Sequence, residues 1–214
     1  MGTRSTATQR RIEAVEAGMR VFADHGLTTA AVQRIADEIG VSQPYVFRLF
    51  GSKRAFFLAC MDEMEVRVRE VFRQSAAAAP EQPFEAMGAG FRDLIADGVI
   101  SGLWIQSCAA ARGDEAIAAR CRTFLAGVLE EVDQVTGAGA DALAQFLGTG
   151  SLVMVLQAVG ADLTAGSQGA IEVLRAEGSS AVPAPDETMD AASAASAPSA
   201  ASVSPSGSDK KAAR

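Results

Sequence analysis

The chain has 214 residues, 49% of them hydrophobic, which is enough to bury the core of one large domain or two small ones. Its net charge of −7 excludes a protein that is basic throughout. The three cysteines are odd in number and lack C-x-x-C spacing, which argues against a disulfide framework or a zinc site. The N-terminal MGTRSTATQRR lacks the apolar core of a signal peptide, so we expect a cytoplasmic protein.

Charge is divided unevenly along the chain. Residues 1–54 contain eight Arg or Lys against five Asp or Glu, whereas the remainder contains eleven against twenty-one. This division predicts a small module that faces a polyanion, joined to an acidic body. The long uncharged stretch at 142–161 contains three glycines and four polar side chains, so it is too polar for a membrane span and we expect no membrane partner.

Apolar residues recur at helical spacing along most of the chain and no alternating strand pattern persists, so we predict an all-α fold. The first helix ends at Gly26. The second spans about 30–39, with Thr28 or Thr29 as its N-cap, and the third follows a Gly-Val-Ser turn. A long fourth helix begins near Ser52.

The segment 76–83, AAAAPEQP, is predicted to connect two parts of the chain, and four more helices follow it. The seventh covers about 115–136 and the eighth 140–162. The eighth is apolar nearly all round, so it must be covered on more than one side, and a second copy of the protein is the simplest cover. The last 36 residues, 179–214, contain 11 Ala, 9 Ser and 4 Pro, which predicts a disordered tail.

The stretch IADEIGVSQPYVFRLF at 35–50 has the pattern of a helix-turn-helix. Gly40 suits the left-handed conformation that ends a helix, and Ser42 can cap the next one. Val46 and Phe50 then point inward, and the second helix of the pair can enter a major groove. The residues left on its outer side are Gln43, Tyr45 and Arg48.

These outward side chains suit DNA. Arg48 has the fork geometry for guanine, Gln43 can pair with adenine or a phosphate, and Tyr45 can contact a thymine methyl group or a phosphate. Lys53 can anchor the backbone, and the helix starts near Thr29 and Ser42 can direct N–H groups at phosphates.

FADHG at 22–26, VQRIADEIGVS at 32–42 and FRLFGSK at 47–53 resemble the TetR family of bacterial regulators. The resemblance is specific over about 9–70 and weaker over 76–178. It implies a three-helix DNA-binding head at 9–70 with its helix-turn-helix at about 32–50, a long linking helix, and an effector-binding and dimerisation body at 76–178. It also implies a homodimer in which the last two helices, placed here at about 115–136 and 140–162, pair across the two-fold axis.

Two positions depart from the family pattern. Phe47 stands where the family usually has a tyrosine that contacts the DNA backbone, and Ala30 and Ala31 stand where threonines are common. Both put single phosphate contacts in doubt. Tyr45 could supply the missing hydroxyl.

Three groups of residues are therefore predicted to be functional. The DNA contacts are Thr29, Gln33, Ser42, Gln43, Tyr45, Phe47, Arg48 and Lys53. The effector pocket consists of Phe91, Leu94, Trp104, Cys108, Phe124 and Val128, although Trp104 could instead be a core residue and Cys108 and Cys121 read as small buried hydrophobes. The dimer interface consists of Leu143, Phe146, Leu147, Met154 and Val155.

The predicted function is a homodimeric repressor that binds a pseudo-palindromic operator of double-stranded DNA and is released by a small, apolar effector. No cofactor or metal is expected. The chain shows no catalytic motif, and the carboxylates of Asp62, Glu63 and Glu65 read as a helix surface, so an enzyme is not expected. The alternative is a helical dimeric sensor or interaction protein whose DNA-binding head is vestigial.

Overall fold

The computed structural model describes residues 6–164 and 166–181, with side chains as far as residue 177. These residues form α-helices without a strand, which confirms the all-α class. Residues up to Arg175 belong to one compact unit, and Ala176 begins a second. The helices are α1 (Ala7–His25), α2 (Thr29–Glu38), α3 (Gln43–Phe50), α4 (Lys53–Ala78), α5 (Pro83–Ile95), α6 (Val99–Ala111), α7 (Glu115–Thr136), α8 (Ala140–Ala158) and α9 (Gly166–Ala181).

Four helices begin at a side chain that caps their free N–H groups. Thr6, Thr28, Ser52 and Asp114 each accept a hydrogen bond from a backbone N–H of the following turn, at 3.0–3.2 Å. Such a cap typically stabilises a helix by about 1 kcal/mol. Of the two threonines before α2, Thr28 is therefore the cap, and Thr29 is the first residue of the helix.

Phenylalanine rings join the first three helices to the start of α4. The ring of Phe22 lies 5.3 Å from that of Phe56 and 5.2 Å from that of Phe57, in edge-to-face arrangements. Phe50 of α3 stacks on Phe56 at 4.1 Å. All four are buried. The first turn of α4 is thus packed as part of the three-helix head, so a movement of α4 would carry the head with it.

The head also contacts the body through α1 and α6. A methyl group built on Gly102 of α6 would lie 3.0 Å from Cβ of Ala23 and 3.3 Å from its carbonyl oxygen. Only a glycine allows the two helices to approach this closely without displacing the backbone of α1.

The body is built around α4, which packs against α5 on one side and α7 on the other. Its core contains a second aromatic cluster, in which Phe72 of α4 lies 5.7 Å from Phe91 of α5 and 5.3 Å from Phe146 of α8. Phe84 completes the cluster at 5.5 Å from Phe146. Aromatic pairs at these distances stabilise a fold beyond the area that they bury.

The contact between α4 and α7 is partly ionic, which corrects the prediction that Glu65 is a surface carboxylate. The side chain of Glu131 is 3% exposed and lies against Arg69 and Arg73 of α4. That of Glu65 is 14% exposed, and its Oε2 lies 2.7 Å from Nη1 of Arg120. The angle at Nη1 is unfavourable for a hydrogen bond, so this contact is an ion pair only.

Two predicted boundaries change at the C-terminal end of the described region. The eighth helix ends at Ala158 rather than at residue 162, because Gly160 adopts a left-handed conformation with a φ of 76°. A further helix, α9, was not predicted, and it includes residues 179–181 of the predicted tail. The rest of that tail lies outside the described residues.

Among the residues that the structure describes, no single helix is both long and apolar enough to cross a membrane. Only α5 and α6 taken together reach the length and hydropathy required, and the chain bends by 85° between them.

Candidate nucleic-acid interface and body cavity

The turn between α2 and α3 has the predicted glycine conformation. Gly40 has a φ of 68°, in the left-handed region that an L side chain rarely adopts. Its N–H donates to the carbonyl of Asp37 at 3.2 Å, and the N–H of Val41 donates to that of Ala36 at 2.9 Å. This pair of bonds is a Schellman motif, which ends α2 and fixes the direction in which the chain enters α3.

Helix α3 presents one face to the core and the other to solvent. Val46 and Phe50 are buried, and Arg48 is exposed. Ser42 stands at the N-cap position, but its hydroxyl caps no backbone N–H, contrary to the prediction. The N–H groups at the start of α3 are therefore free of a side-chain cap, and Pro44 in the first turn supplies none.

The structure brings four of the predicted DNA contacts together in two pairs. Nε2 of Gln43 donates a hydrogen bond to the carbonyl of Thr29 at 3.3 Å, so the starts of α2 and α3 lie side by side. The guanidinium carbon of Arg48 lies 4.8 Å from the centre of the Tyr45 ring. A cation over an aromatic face restricts the rotamers of Arg48, which reduces the entropy that it would lose on binding.

Three other residues predicted to contact DNA have side chains that are bonded or partly buried within the protein. Nε2 of Gln33 is engaged with Asp37 of the same helix at 2.8 Å. Phe47 is partly buried against the core, so its ring supports α3 from within the head. Lys53 is the first residue of α4 and is half-buried.

Three basic residues of the head are bonded within the head itself. Arg10 donates to the carbonyl of Ile39 at 3.1 Å, Arg11 donates to that of Leu49 at 2.8 Å, and Arg20 pairs with Glu38 at 2.5 Å. Within the described part of the head, Arg34, Arg48 and Lys53 have no acidic partner. Arg34 is exposed on α2 and was not among the predicted DNA contacts. Its position next to Gln33, a predicted contact, could have indicated it.

A cavity of about 430 Å³ that is partly open to solvent lies between α4, α5, α7 and α8, and it is called the body cavity below. Of the predicted pocket residues, Phe91, Phe124 and Val128 line it, whereas Leu94, Trp104 and Cys108 do not. The other lining residues are Val68, Phe72, Phe84, Glu85, Gly88, Arg92, Leu125, Ala142, Gln145, Phe146, Leu147, Thr149, Gly150, Ser151, Val153 and Met154.

Trp104 is a core residue, one of the two roles considered for it. It is buried, and its ring lies 4.8 Å from that of Phe124, so a single aromatic side chain separates it from the body cavity.

The cysteines differ from one another in exposure. Cys121 is buried as predicted, but Cys108 is exposed, which corrects the prediction for it. Desolvation and the neighbouring Cys121 raise the pKa of the Cys108 thiol to about 11. At neutral pH the thiol is therefore protonated and a poor nucleophile.

The predicted dimer residues fall mostly on the inner side of α8. Phe146, Leu147 and Met154 line the body cavity, and Leu143 packs partly buried against the core. Val155 alone of the five is exposed, at 47%. The exposed large apolar residues of α8 and α9 are Leu152, Val155, Val159, Ile171, Val173 and Leu174.

Helices α7 and α8 were predicted to be the last two helices, but the structure adds α9 after them. Helix α7 packs within the protomer against α4 and α6, and its apolar residues Ile117, Phe124 and Val132 are buried there. The last two helices of the described region are α8 and α9.

A three-helix head with exposed side chains on the second helix of a helix-turn-helix, continued by a long helix into a helical body, is the arrangement of helix-turn-helix DNA-binding proteins. Comparison with known proteins agrees. Residues 14–60 match the model of the bacterial regulatory proteins of the tetR family.

Two curated relatives share the same part of the chain. The HTH-type transcriptional repressor AcnR of Corynebacterium glutamicum is 37% identical over 68 residues, which are 32% of this chain and 36% of AcnR. The HTH-type transcriptional activator FasR of Mycolicibacterium smegmatis is 34% identical over 76 residues, 34% of this chain and 35% of FasR. The chain thus spans about a third of the length of the curated relatives that it matches.

The fold extends the likeness beyond the head. A TetR-family transcriptional regulator from Rhodococcus superposes with a TM-score of 0.58 at 17% identity, over 78% of this chain and 98% of the other. Over residues 14–60 the chain therefore matches the tetR family of bacterial regulatory proteins, and over most of its length it shares the fold of the TetR-family regulator from Rhodococcus.

Proposed function

We propose that the protein is a homodimeric transcriptional repressor in the cytoplasm, which binds a pseudo-palindromic operator and is released when a small apolar effector occupies the body cavity. The observation that carries the proposal is α3, whose Arg48 is exposed, stacked on Tyr45 and without an acidic partner among the described residues. An unpaired arginine on the second helix of a helix-turn-helix is placed to read a guanine in the major groove.

The head has side chains suited both to base edges and to phosphates. Arg48 and Tyr45 face base edges, whereas Lys53, the uncapped start of α3 and Arg34 suit phosphates. The intramolecular bonds of Arg10 and Arg11 keep α1 against the two helices, so the reading helix is presented rigidly.

A second copy of the chain is the proposed cover for α8 and α9. Helix α8 and its C-terminal residue leave Leu152, Val155 and Val159 exposed, and α9 leaves Ile171, Val173 and Leu174 exposed. Exposed large apolar side chains in such number mark an interaction surface. A two-fold dimer would place two copies of α3 about 34–36 Å apart, one turn of DNA.

Helix α4 is the proposed route from effector to DNA. Val68 and Phe72 of α4 line the body cavity, and Phe56, about 18 Å earlier along the same helix, is packed in the head. A ligand that displaces the wall of the cavity would therefore tilt α4 and change the separation of the two heads. By linkage, operator DNA must weaken effector binding by the same factor.

The curated relatives do not fix the sign of regulation, because one is a repressor and the other an activator. The alternative of a vestigial head draws on Phe47, which lacks a hydroxyl for a phosphate. Both questions begin with the same experiment.

Purified protein would be used to select duplexes from a random DNA library at two salt concentrations. We expect an inverted repeat whose affinity falls steeply with salt, since each phosphate contact releases a counterion. Weak, sequence-independent binding by folded protein would contradict the proposal and favour the alternative, a dimeric sensor or interaction protein with a vestigial head.

A further inference from the structure

We propose that the effector of the body cavity is an amphipathic anion, with an apolar body among the phenylalanines and one carboxylate or similar group paired with Arg92. This inference rests on the proposed function in that it names the chemistry of the ligand for the same cavity. It follows from which polar groups of the cavity remain free to bind.

The interior of the cavity has an apolar lining. Four phenylalanines, Phe72, Phe84, Phe91 and Phe146, pack against one another around it in tilted or edge-to-face arrangements. The rings therefore do not form an aromatic cage, in which several ring faces surround a quaternary ammonium group. An alkyl or aryl body is what this lining binds best.

The hydroxyl groups on α8 are already used. Thr149 donates to the carbonyl of Gln145 at 2.9 Å, and Ser151 donates to that of Leu147 at 2.8 Å. Each hydroxyl already donates its single proton to a backbone carbonyl of its own helix, so towards a ligand it can only accept a hydrogen bond. A ligand group with acceptor atoms alone must therefore find its donor elsewhere.

Two charged residues of α5, Glu85 and Arg92, line the cavity and are exposed. Among the described residues neither has an ion-pair or hydrogen-bond partner for its side chain.

The two charges differ in what else they do. Glu85 lies in the first turn of α5, where a carboxylate stabilises the helix start, and the N-cap Gln82 provides no side-chain cap there. Arg92 lies in the last turn, where a cation would interact with the final carbonyls. Its guanidinium instead turns back by a whole turn, with Nη1 3.6 Å from a methyl group built on Gly88, another cavity residue. Arg92 is therefore the free cation of the cavity.

The test compares three probes with the same alkyl chain, namely decanoate, decanol and decyltrimethylammonium, each below its micelle concentration. Binding to the full chain would be measured by calorimetry and by the fluorescence of Trp104, the chain's single tryptophan. We expect decanoate to bind most tightly, and Arg92→Gln to weaken it by on the order of tenfold, as for the loss of a charge-assisted hydrogen bond. The same variant should leave decanol unchanged.

The matched control is Arg112→Gln, since Arg112 is exposed in the body but outside the cavity. It makes the same change in net charge and should leave decanoate binding intact. Equal binding of decanoate and decanol, insensitivity to Arg92→Gln, or tighter binding of the cation would each overturn the proposal, and so would no binding of any probe. No step uses DNA, so the library selection on the same protein shows separately whether the proposed function stands.

Discussion

Glu131 of α7 accepts two parallel hydrogen bonds from the guanidinium group of Arg73 of α4, from Nε to Oε1 at 3.1 Å and from Nη2 to Oε2 at 2.9 Å. Arg69, one turn earlier on α4, donates a third to Oε2 at 3.0 Å. The neighbouring residues Val68 and Phe72 line the body cavity. The ionic contact therefore fixes the part of α4 that a ligand would displace, and it adds directional bonds to an otherwise apolar helix contact.

Loss of this carboxylate should destabilise the protein. Glu131→Gln leaves two arginines facing a neutral amide, and we expect the free energy of unfolding to fall by about 1–3 kcal/mol at pH 7. The measurement is urea denaturation followed by circular dichroism. The control is Glu130→Gln, because Glu130 is exposed on the same helix. Equal midpoints for the two variants would show that the buried ion pairs contribute nothing net.

The same contact predicts a dependence on pH. Burial alone would raise the pKa of Glu131, but the hydrogen bonds and charges of Arg73 and Arg69 outweigh burial, so the pKa lies below its ordinary value of 4.5. A group whose pKa is lower in the folded state stabilises the fold above its unfolded pKa, and this contribution disappears as the pH falls through the folded pKa. Wild-type protein should therefore lose more stability than Glu131→Gln on acidification below about pH 4.5.

Arg48 should determine specificity at one position of the operator. We expect Arg48→Ala to cost about 1–3 kcal/mol of binding free energy and to relax the base preference at a single position of each half-site. Repeating the library selection with the variant measures this directly. Arg112→Ala, which removes an exposed arginine of the body, should recover the wild-type motif. An unchanged preference at every position in the Arg48 variant would mean that α3 is not the reading helix.

Lys53 should contribute affinity without specificity. As a phosphate contact it would release about one counterion, so Lys53→Ala should weaken binding to all sequences and reduce the slope of log affinity against log salt by about one unit. Lys53→Arg keeps the charge and should restore the slope. If the alanine variant bound its selected operator with the wild-type slope, the half-buried Lys53 would have a structural role at the start of α4 instead.

The head could be predicted from the sequence because its signals are local. Gly40 ends α2 through a conformation that depends on its own backbone, and Val46 and Phe50 reveal the buried face of α3 by their spacing. The Ser42 cap was wrong because the choice of hydrogen-bond partner depends on a rotamer, which composition does not determine.

The body was harder to predict because its decisive contacts join distant parts of the chain. Glu131 and Arg73 are 58 residues apart, and nothing in either local sequence distinguishes a buried carboxylate from a solvated one. Trp104 and Phe91 were both predicted to line the pocket. In the structure Trp104 lies in the core, whereas Phe91 lines the body cavity. Helix α9 was missed because six of its 16 residues are glycine or serine, which are poor helix formers.

The dimer proposal predicts that a charge on the outer side of α8 will separate the subunits. Val155 is 47% exposed and is flanked by Leu152 on the same helix and by Val159 at the C-cap of that helix, at 39% and 69%. Val155→Asp would place a carboxylate in the middle of this apolar face, where burial without a partner costs several kcal/mol. We therefore expect wild-type protein to sediment as a dimer and this variant as a folded monomer at micromolar concentration. The control is Val66→Asp on α4, where Val66 is 61% exposed and lies beside Ile12 and Val15 of α1, and it should remain dimeric. A Val155→Asp protein that sediments as a dimer with wild-type stability would show that α8 does not form the interface in this way.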